Sequence, residues 1–188
     1  MRTIRVQTVD FDIEAEVGAL TRGRADIGAV VTFTGLCRDE DGRLAALELE
    51  HYPGMAEAEI ARVAAEAEAR WPLLGLTVVH RSGRLEPGEQ IVLVATASRH
   101  REAAFEAAAF LMDYLKTRAP FWKKEHLADG SCGEWVAAKG EDDAAAERWA
   151  APASAGSGRT SSAEVATFSR RREKAAAKRP DEGQTGPS

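Results

Sequence analysis

The chain has only two cysteines in 188 residues, Cys37 and Cys132, and no Cys-x-x-Cys pair. That scarcity excludes a disulfide framework and leaves no zinc signature. Its four histidines, His51, His80, His100 and His126, are scattered without metal-ligand spacing, so no metal site is expected. No apolar run approaches the roughly 20 residues that a bilayer-spanning helix needs. The N-terminal Met1-Arg2-Thr3-Ile4-Arg5-Val6 has no apolar signal core, which points to a cytoplasmic protein. There is no internal repeat. What remains is a chain of 44% hydrophobic and 29% charged residues, the ordinary balance of a soluble globular protein.

The chain divides near residue 150. Past Trp149 comes the small-residue stretch Ala150-Ala151-Pro152-Ala153-Ser154-Ala155-Gly156-Ser157-Gly158, which reads as a linker. Beyond it, Val165 and Phe168 are almost the only large apolar residues. Such a segment buries too little surface to offset its ordering entropy, so 151–188 is expected to be a disordered, low-complexity basic tail behind a folded domain over 1–150. The tail carries seven basic and four acidic side chains, and the body 18 basic and 26 acidic, a balance of −8. An acidic body makes general nucleic-acid binding unlikely, because that needs a basic face.

The periodicity of the body is α+β. Residues 28–35, 45–52, 76–81 and 90–95 read as strands, with turns at Asp41-Gly42 and Pro87-Gly88. A helix over about 56–70 carries the apolar stripe Ile60, Val63, Ala64 and Ala67 and stops at Trp71-Pro72. A long helix over about 99–118 follows, with Ser98 as its N-cap. Its apolar side is Ala104, Ala108, Leu111 and Leu115, flanked by Phe105 and Met112. Residues 134–137 form a short last strand.

Three segments carry chemistry. Lys116-Thr117-Arg118-Ala119-Pro120-Phe121-Trp122-Lys123-Lys124 interleaves four cations with a proline and two aromatics. Ammonium groups supply point charges for phosphate and flat rings supply a stacking wall, which suits a small anionic ring-containing ligand. The plainer alternative is a helix C-terminus whose cations complement its dipole, followed by core aromatics. Arg99-His100-Arg101 places cations at a helix N-terminus, against the dipole, and a bound phosphate or carboxylate would resolve that conflict; pairing with surface acids would do so too. In Phe33-Thr34-Gly35-Leu36-Cys37-Arg38, Gly35 allows close backbone approach at a strand end. Nothing near Cys37 identifies a paired base, which argues against covalent catalysis by it.

If the long helix is continuous, His100 and Lys116 stand roughly 24 Å apart along its axis. One small ligand cannot bridge that within a chain. The two clusters therefore serve different ligands or meet across a two-fold dimer.

Taken together, Phe33-Thr34-Gly35 with Arg38, Leu49-Glu50-His51-Tyr52-Pro53-Gly54-Met55, His80-Arg81-x-Gly83, Ser98-x-His100-Arg101 and the long run from Met112 to Lys123 resemble the catalytic (large) subunit family of molybdopterin synthase. The resemblance covers about residue 4 to Trp149. It implies an α/β hammerhead fold with an antiparallel sheet and a long helix. It also implies a homodimer that becomes a heterotetramer by binding two small ubiquitin-like sulfur-carrier subunits, each ending in a Gly-Gly thiocarboxylate. Sulfur from that terminus is passed to cyclic pyranopterin monophosphate, a pterin phosphate, to build the molybdopterin dithiolene of the molybdenum cofactor. The family's substrate-binding positions fall on Leu36, Cys37, Arg38, His100, Arg101, Lys116, Lys123, Lys124 and Glu125, with Lys116 and Lys123 as catalytic candidates and Phe33 and Met112 as pocket wall. Lys116 is expected to transfer a proton or to stabilise an oxyanion, and no cofactor or metal is implied for the transfer. Two departures stand out. Leu36 and Cys37 occupy positions where the family commonly has a basic residue, and Lys139 replaces a common arginine. The competing readings are a non-catalytic anion-binding module of the same fold and a nucleic-acid-associated protein acting through its basic tail.

Overall fold

The computed structural model describes residues 1–39, 41–137 and Trp149. The expected tail over 151–188 and Lys139 lie outside the described residues. Among the described residues, eight strands and three helices run β1 (Arg2–Gln7), α1 (Ile13–Thr21), β2 (Ala29–Leu36), β3 (Leu44–His51), α2 (Met55–Arg70), β4 (Leu73–Arg81), β5 (Gly83–Leu85), β6 (Gln90–Ser98), α3 (Arg101–Arg118), β7 (Phe121–Leu127) and β8 (Val136–Ala137). The fold is α+β. One sheet has the order β1-β4-β6-β2 and the other β5-β3-β7-β8. Every pairing is antiparallel except β1 with β4, which is parallel.

Strands β4 and β6 are buried on both faces, which explains why they read as nearly continuous apolar runs. Leu76, Val78, Val92 and Val94 point toward α2 and α3, where Ile60, Val63, Ala64, Ala67, Phe110 and Leu111 meet them. Leu93, Val79, Ala95 and Ala97 lie on the other face, against Phe11 and Leu20. The α2 stripe is the one its 3.6-residue period predicts, and Gly54 N–H donates to Glu57 Oε2 (2.8 Å) to tie down the first turn.

Several sequence expectations change. Ser98 is the last residue of β6 and not a helix cap; His100 takes the N-cap position, with extended backbone (φ −127°, ψ 144°). The Ser98 hydroxyl donates to Pro72 O (3.0 Å) instead, joining the strand end to the entry of β4. Phe105 does not join the core; it is 60% exposed. Asp41 and Gly42 do form a tight turn, both with positive φ (65° and 70°), but β2 and β3 on either side belong to different sheets. Gly35 packs closely against β6 and borders a cavity. A Cβ there would lie 2.8 Å from Val92 Cγ1, at the point where the β2–β6 register shifts. The segment after Pro120, given no element from sequence, is the full strand β7.

Trp149 completes the core. Its ring meets Trp71 (5.6 Å between centroids) and Phe110 (5.5 Å) edge-on. Its indole N–H donates to Asp113 Oδ2 (2.7 Å), and Arg70 donates to its carbonyl (2.8 Å). An amphipathic ring with its one donor satisfied is well suited to such a boundary position.

Candidate active site

The last turns of α3 and the end of β2 face the second sheet across an open cavity of about 1080 Å³. Each wall follows from local structure. On β2 and the residues after it, Phe33, Leu36, Cys37 and Arg38 contribute. On β3, period-two alternation turns Leu47 and Leu49 inward. On α3, Met112, Leu115 and Lys116 lie within one helical turn, and Ala119 follows. On β7, alternation sends Phe121 and Lys123 into the cavity. Helix α3 ends at Ala119, whose extended backbone (ψ 127°) is the conformation that a following proline imposes. Pro120 thus converts the helix into β7 within two residues and brings Lys116 and Lys123 to the same cavity.

Among the described residues the lining is mostly apolar, with Arg38, Lys116 and Lys123 as its cations and no aspartate or glutamate. Cations gathered at one cavity suit an anionic ligand. The apolar surfaces, with Phe33 40% and Leu36 54% exposed, offer contact area for a flat ring. Cys37 also borders the cavity, but its side chain is buried with Leu49 and Leu85. Burial pushes the Cys37 thiol pKa up, and Glu89 and Asp39 add to the effect. That is the wrong direction for a nucleophile.

The lining residue His80 carries no site role in the sequence reading, though it stands in the His80-Arg81-x-Gly83 motif. His80, buried on β4, stacks on Phe121 with centroids 3.9 Å apart and rings 16° from parallel. Its Nδ1 lies 2.8 Å from Arg81 O. A carbonyl only accepts, so Nδ1 carries the hydrogen and Nε2 keeps a lone pair. Burial pulls the His80 pKa down to about 4, with the nearby His51 a lesser contributor. The clue was a histidine inside the apolar run 76–81, where a neutral, hydrogen-bonded ring is the only inexpensive form.

The nine binding positions expected from sequence divide. Leu36, Cys37, Arg38, Lys116 and Lys123 line the cavity, as do Phe33 and Met112. His100 and Arg101 sit at the opposite end of the 18-residue α3, exposed, so the helix is continuous and the separation along the axis stands. The charge of Arg99 beside them is the smallest contributor to the lowered pKa of Asp26, about 2, which comes chiefly from the hydrogen bond with Arg24. Glu125 is exposed on the same face of β7 as Lys123 but beyond the cavity rim. Lys124 projects from the other face, where its Nζ lies 5.6 Å from the Trp135 ring centroid. Among the described residues, no group of three His, Cys, Asp or Glu side chains is placed to hold a metal ion, and no helix is long and apolar enough to cross a membrane.

Comparison with known proteins gives one consistent answer. The family model for the MoaE protein matches residues 6–118. The chain is 71% identical over 147 residues to the molybdopterin synthase catalytic subunit of Mesorhizobium japonicum, an alignment covering 78% of this chain and 92% of that protein. Among solved structures, the molybdopterin biosynthesis MoaE protein from Burkholderia ambifaria superposes with a TM-score of 0.71 at 53% identity, covering 81% of this chain and all of that one. Molybdopterin synthase from Staphylococcus aureus superposes with a TM-score of 0.65 at 31% identity, over 72% of this chain and 98% of its own.

Proposed function

The chain belongs to the MoaE protein family, and we propose from that membership and from the cavity that it is the catalytic subunit of a molybdopterin synthase. It takes sulfur from the thiocarboxylated Gly-Gly terminus of a small ubiquitin-like carrier and transfers it to cyclic pyranopterin monophosphate in molybdenum cofactor biosynthesis. The observation that carries this reading is the cavity itself, where Arg38, Lys116 and Lys123 face apolar walls with no carboxylate among the described lining residues. Both reactants are anions, and one carries a ring. The cations attract the phosphate and the thiocarboxylate, and Phe33, Met112 and Phe121 bound the space for the pterin.

Each side chain has a role in this scheme. The thiocarboxylate sulfur forms a bond to a pterin side-chain carbon as a carbon–oxygen bond at that carbon breaks and the oxygen leaves protonated. Water then attacks the carrier's acyl carbon, the acyl carbon–sulfur bond breaks, and the carrier departs as a carboxylate while the sulfur stays on the pterin. Lys116 stands where α3 ends and stabilises the negative charge that develops, or carries the proton that neutralises it. Lys123 holds the incoming terminus by charge. Arg38 anchors phosphate with its planar fork. His80 supports the Phe121 wall from behind.

His100 and Arg101 enter the same scheme through a second copy of the chain. A two-fold homodimer would bring the start of one α3 to the cavity of its partner, and two carriers would complete a heterotetramer. The cytoplasm is the compartment we assign, since an exposed free thiol such as Cys132 persists best in a reducing one. The division into a domain over 1–150 and a dispensable tail over 151–188 belongs to this proposal too.

The test is direct. The protein is incubated with cyclic pyranopterin monophosphate and a thiocarboxylated carrier, and dithiolene product is detected. Lys116→Ala should reduce transfer by at least about a hundredfold while circular dichroism and the melting temperature stay unchanged. Near-normal turnover by the folded variant would remove Lys116 from the chemistry.

A further inference from the structure

The face of the second sheet that turns away from the cavity carries chemistry that sulfur transfer does not use. Strand parity puts Glu48 of β3 and His126 of β7 on that face, with Lys124 paired to Glu48 in register. After β7 the chain makes a tight turn. Leu127 N–H donates to Ser131 O (2.8 Å), Gly130 has a positive φ (85°), and Gly133 N–H donates to Glu125 O (2.8 Å). The turn returns Cys132 to form a β-bridge directly opposite His126. Cys132 Sγ then lies 3.3 Å from His126 Nδ1, and His126 Nε2 lies 2.7 Å from Glu48 Oε2.

The proton positions follow from the donors available. An ionised carboxylate only accepts, so in the neutral ring Nε2 carries the hydrogen and donates it to Glu48. Nδ1 therefore presents a lone pair to the Cys132 thiol. This is the order of parts that activates a nucleophile: a thiol, a base in contact with it, and a carboxylate that fixes the base's tautomer. A metal site is excluded by the same geometry. Glu48 and Cys132 engage opposite nitrogens of one ring and cannot converge on one ion. The contrast with Cys37 is sharp, since Cys132 is exposed and Cys37 is 2% exposed, its sulfur 3.8 Å from Leu85 O.

We propose that Cys132, His126 and Glu48 form a thiol-activation relay, and that Cys132 is a site of exchange with low-molecular-weight disulfides, separate from the sulfur-transfer cavity. In the step, Cys132 sulfur attacks one sulfur of the disulfide. His126 Nδ1 takes the thiol proton as the new S–S bond forms. The old S–S bond breaks, and the departing thiolate receives that proton. Cys132 is oxidised to a mixed disulfide and the departing half is reduced to a thiol, so no further oxidant is needed. His126 is the base that touches the reacting thiol. Glu48 is a positioning residue. Among the described residues, the other charged groups on or beside this face include Arg84 of β5, paired in register with Glu48, Glu50 of β3, Lys124 of β7, and Asp129 and Glu134 flanking the turn.

The experiment uses the reduced, folded, full-length protein and oxidised glutathione at pH 7, with peptide mapping by mass spectrometry. One glutathionyl group should appear on Cys132 and none on Cys37. His126→Gln should slow that modification by at least about tenfold. Glu48→Gln should slow it by a smaller factor, about threefold or more. Both deficits should close toward alkaline pH, where hydroxide replaces the base; a merely structural effect of either substitution would persist there. Equal rates in wild type and His126→Gln at pH 7 would overturn the relay, as would modification of Cys37 in preference to Cys132. Should His126→Gln fail to fold, the wild type is compared with the same protein unfolded in urea, and a Cys132 rate no faster in the folded state would be equally fatal.

Discussion

Lowering the pH from 7 to 5 is expected to destabilise the fold by roughly 2 kcal/mol through one side chain, His80. Burial holds this imidazole's pKa near 4, with His51 lowering it slightly further and the Arg81 carbonyl opposing both. In the unfolded chain the same ring titrates at the ordinary histidine value of about 6.5. Between those two values the unfolded chain binds a proton that the folded chain refuses, so stability falls as the pH falls. The contribution is fully present above about pH 6.5 and is lost by about pH 4. A difference of about 2.5 pH units corresponds to roughly 3 kcal/mol in all, of which roughly 2 falls between pH 7 and 5. His80→Gln keeps a donor for Arg81 O and removes the titration. Urea denaturation of both proteins at pH 7, 6 and 5 isolates the effect, because His51, His100 and His126 are common to both and cancel. The wild type should lose about 2 kcal/mol more than the variant over that range, with equal slopes in urea. Parallel losses in the two proteins would mean that His80 is protonated in the folded state, and the account of its stacking on Phe121 as a neutral ring would fail.

Two further outcomes test the architecture. Trp149→Ala should cost about 3 kcal/mol and lower the melting temperature by roughly 10 °C in a scanning-calorimetry trace, whereas truncation after Ala150 should leave both stability and sulfur transfer nearly unchanged. Arg101→Ala and Lys116→Ala dimers should each be impaired, and after verified subunit exchange about a quarter of all sites should regain activity; no recovery would place the whole site within one chain.

The parts of the fold that were legible in the sequence are those whose burial is periodic. The α2 stripe could be read because only one face of that helix is covered. The strands β4 and β6 could be read because both of their faces are. Strand β7 could not. Phe121 and Lys123 face the cavity while Trp122, Lys124 and His126 face away, so each face mixes apolar and charged residues and no period-two signal survives. From sequence the run of cations and rings reads as a helix end followed by aromatics, either a ligand wall or core, and nothing in it marks a strand. Ser98 misled for a related reason. Its hydroxyl is as useful bonding to Pro72 O at a strand end as it would be capping a helix, and composition does not distinguish the two. Helix α1 is short and capped only by the Asp12 side chain on Ala15 N–H. At nine residues it is held mainly by packing Leu20 onto Ala95 and Ala97.

That β7 is a strand and not a loop changes what adjacent residues mean. Lys123 and Lys124 are adjacent in sequence, and the family resemblance places both among the substrate-binding positions. In the sheet they are a cavity cation and a cation on the reverse face, separated by the backbone, and they cannot touch the same small ligand. The same parity assigns Glu48 and His126 to the reverse face while their neighbours Leu47, Leu49 and Lys123 line the cavity. A single two-stranded unit therefore carries an anion site on one side and a thiol–imidazole–carboxylate relay on the other. The register that holds Lys123 opposite Leu49 is the register that holds His126 within reach of Glu48. A one-residue slip in β7 would exchange the two faces and abolish both. Substitutions that weaken β3–β7 pairing should for that reason impair sulfur transfer and Cys132 exchange together, whereas side-chain changes on one face should leave the other's chemistry intact.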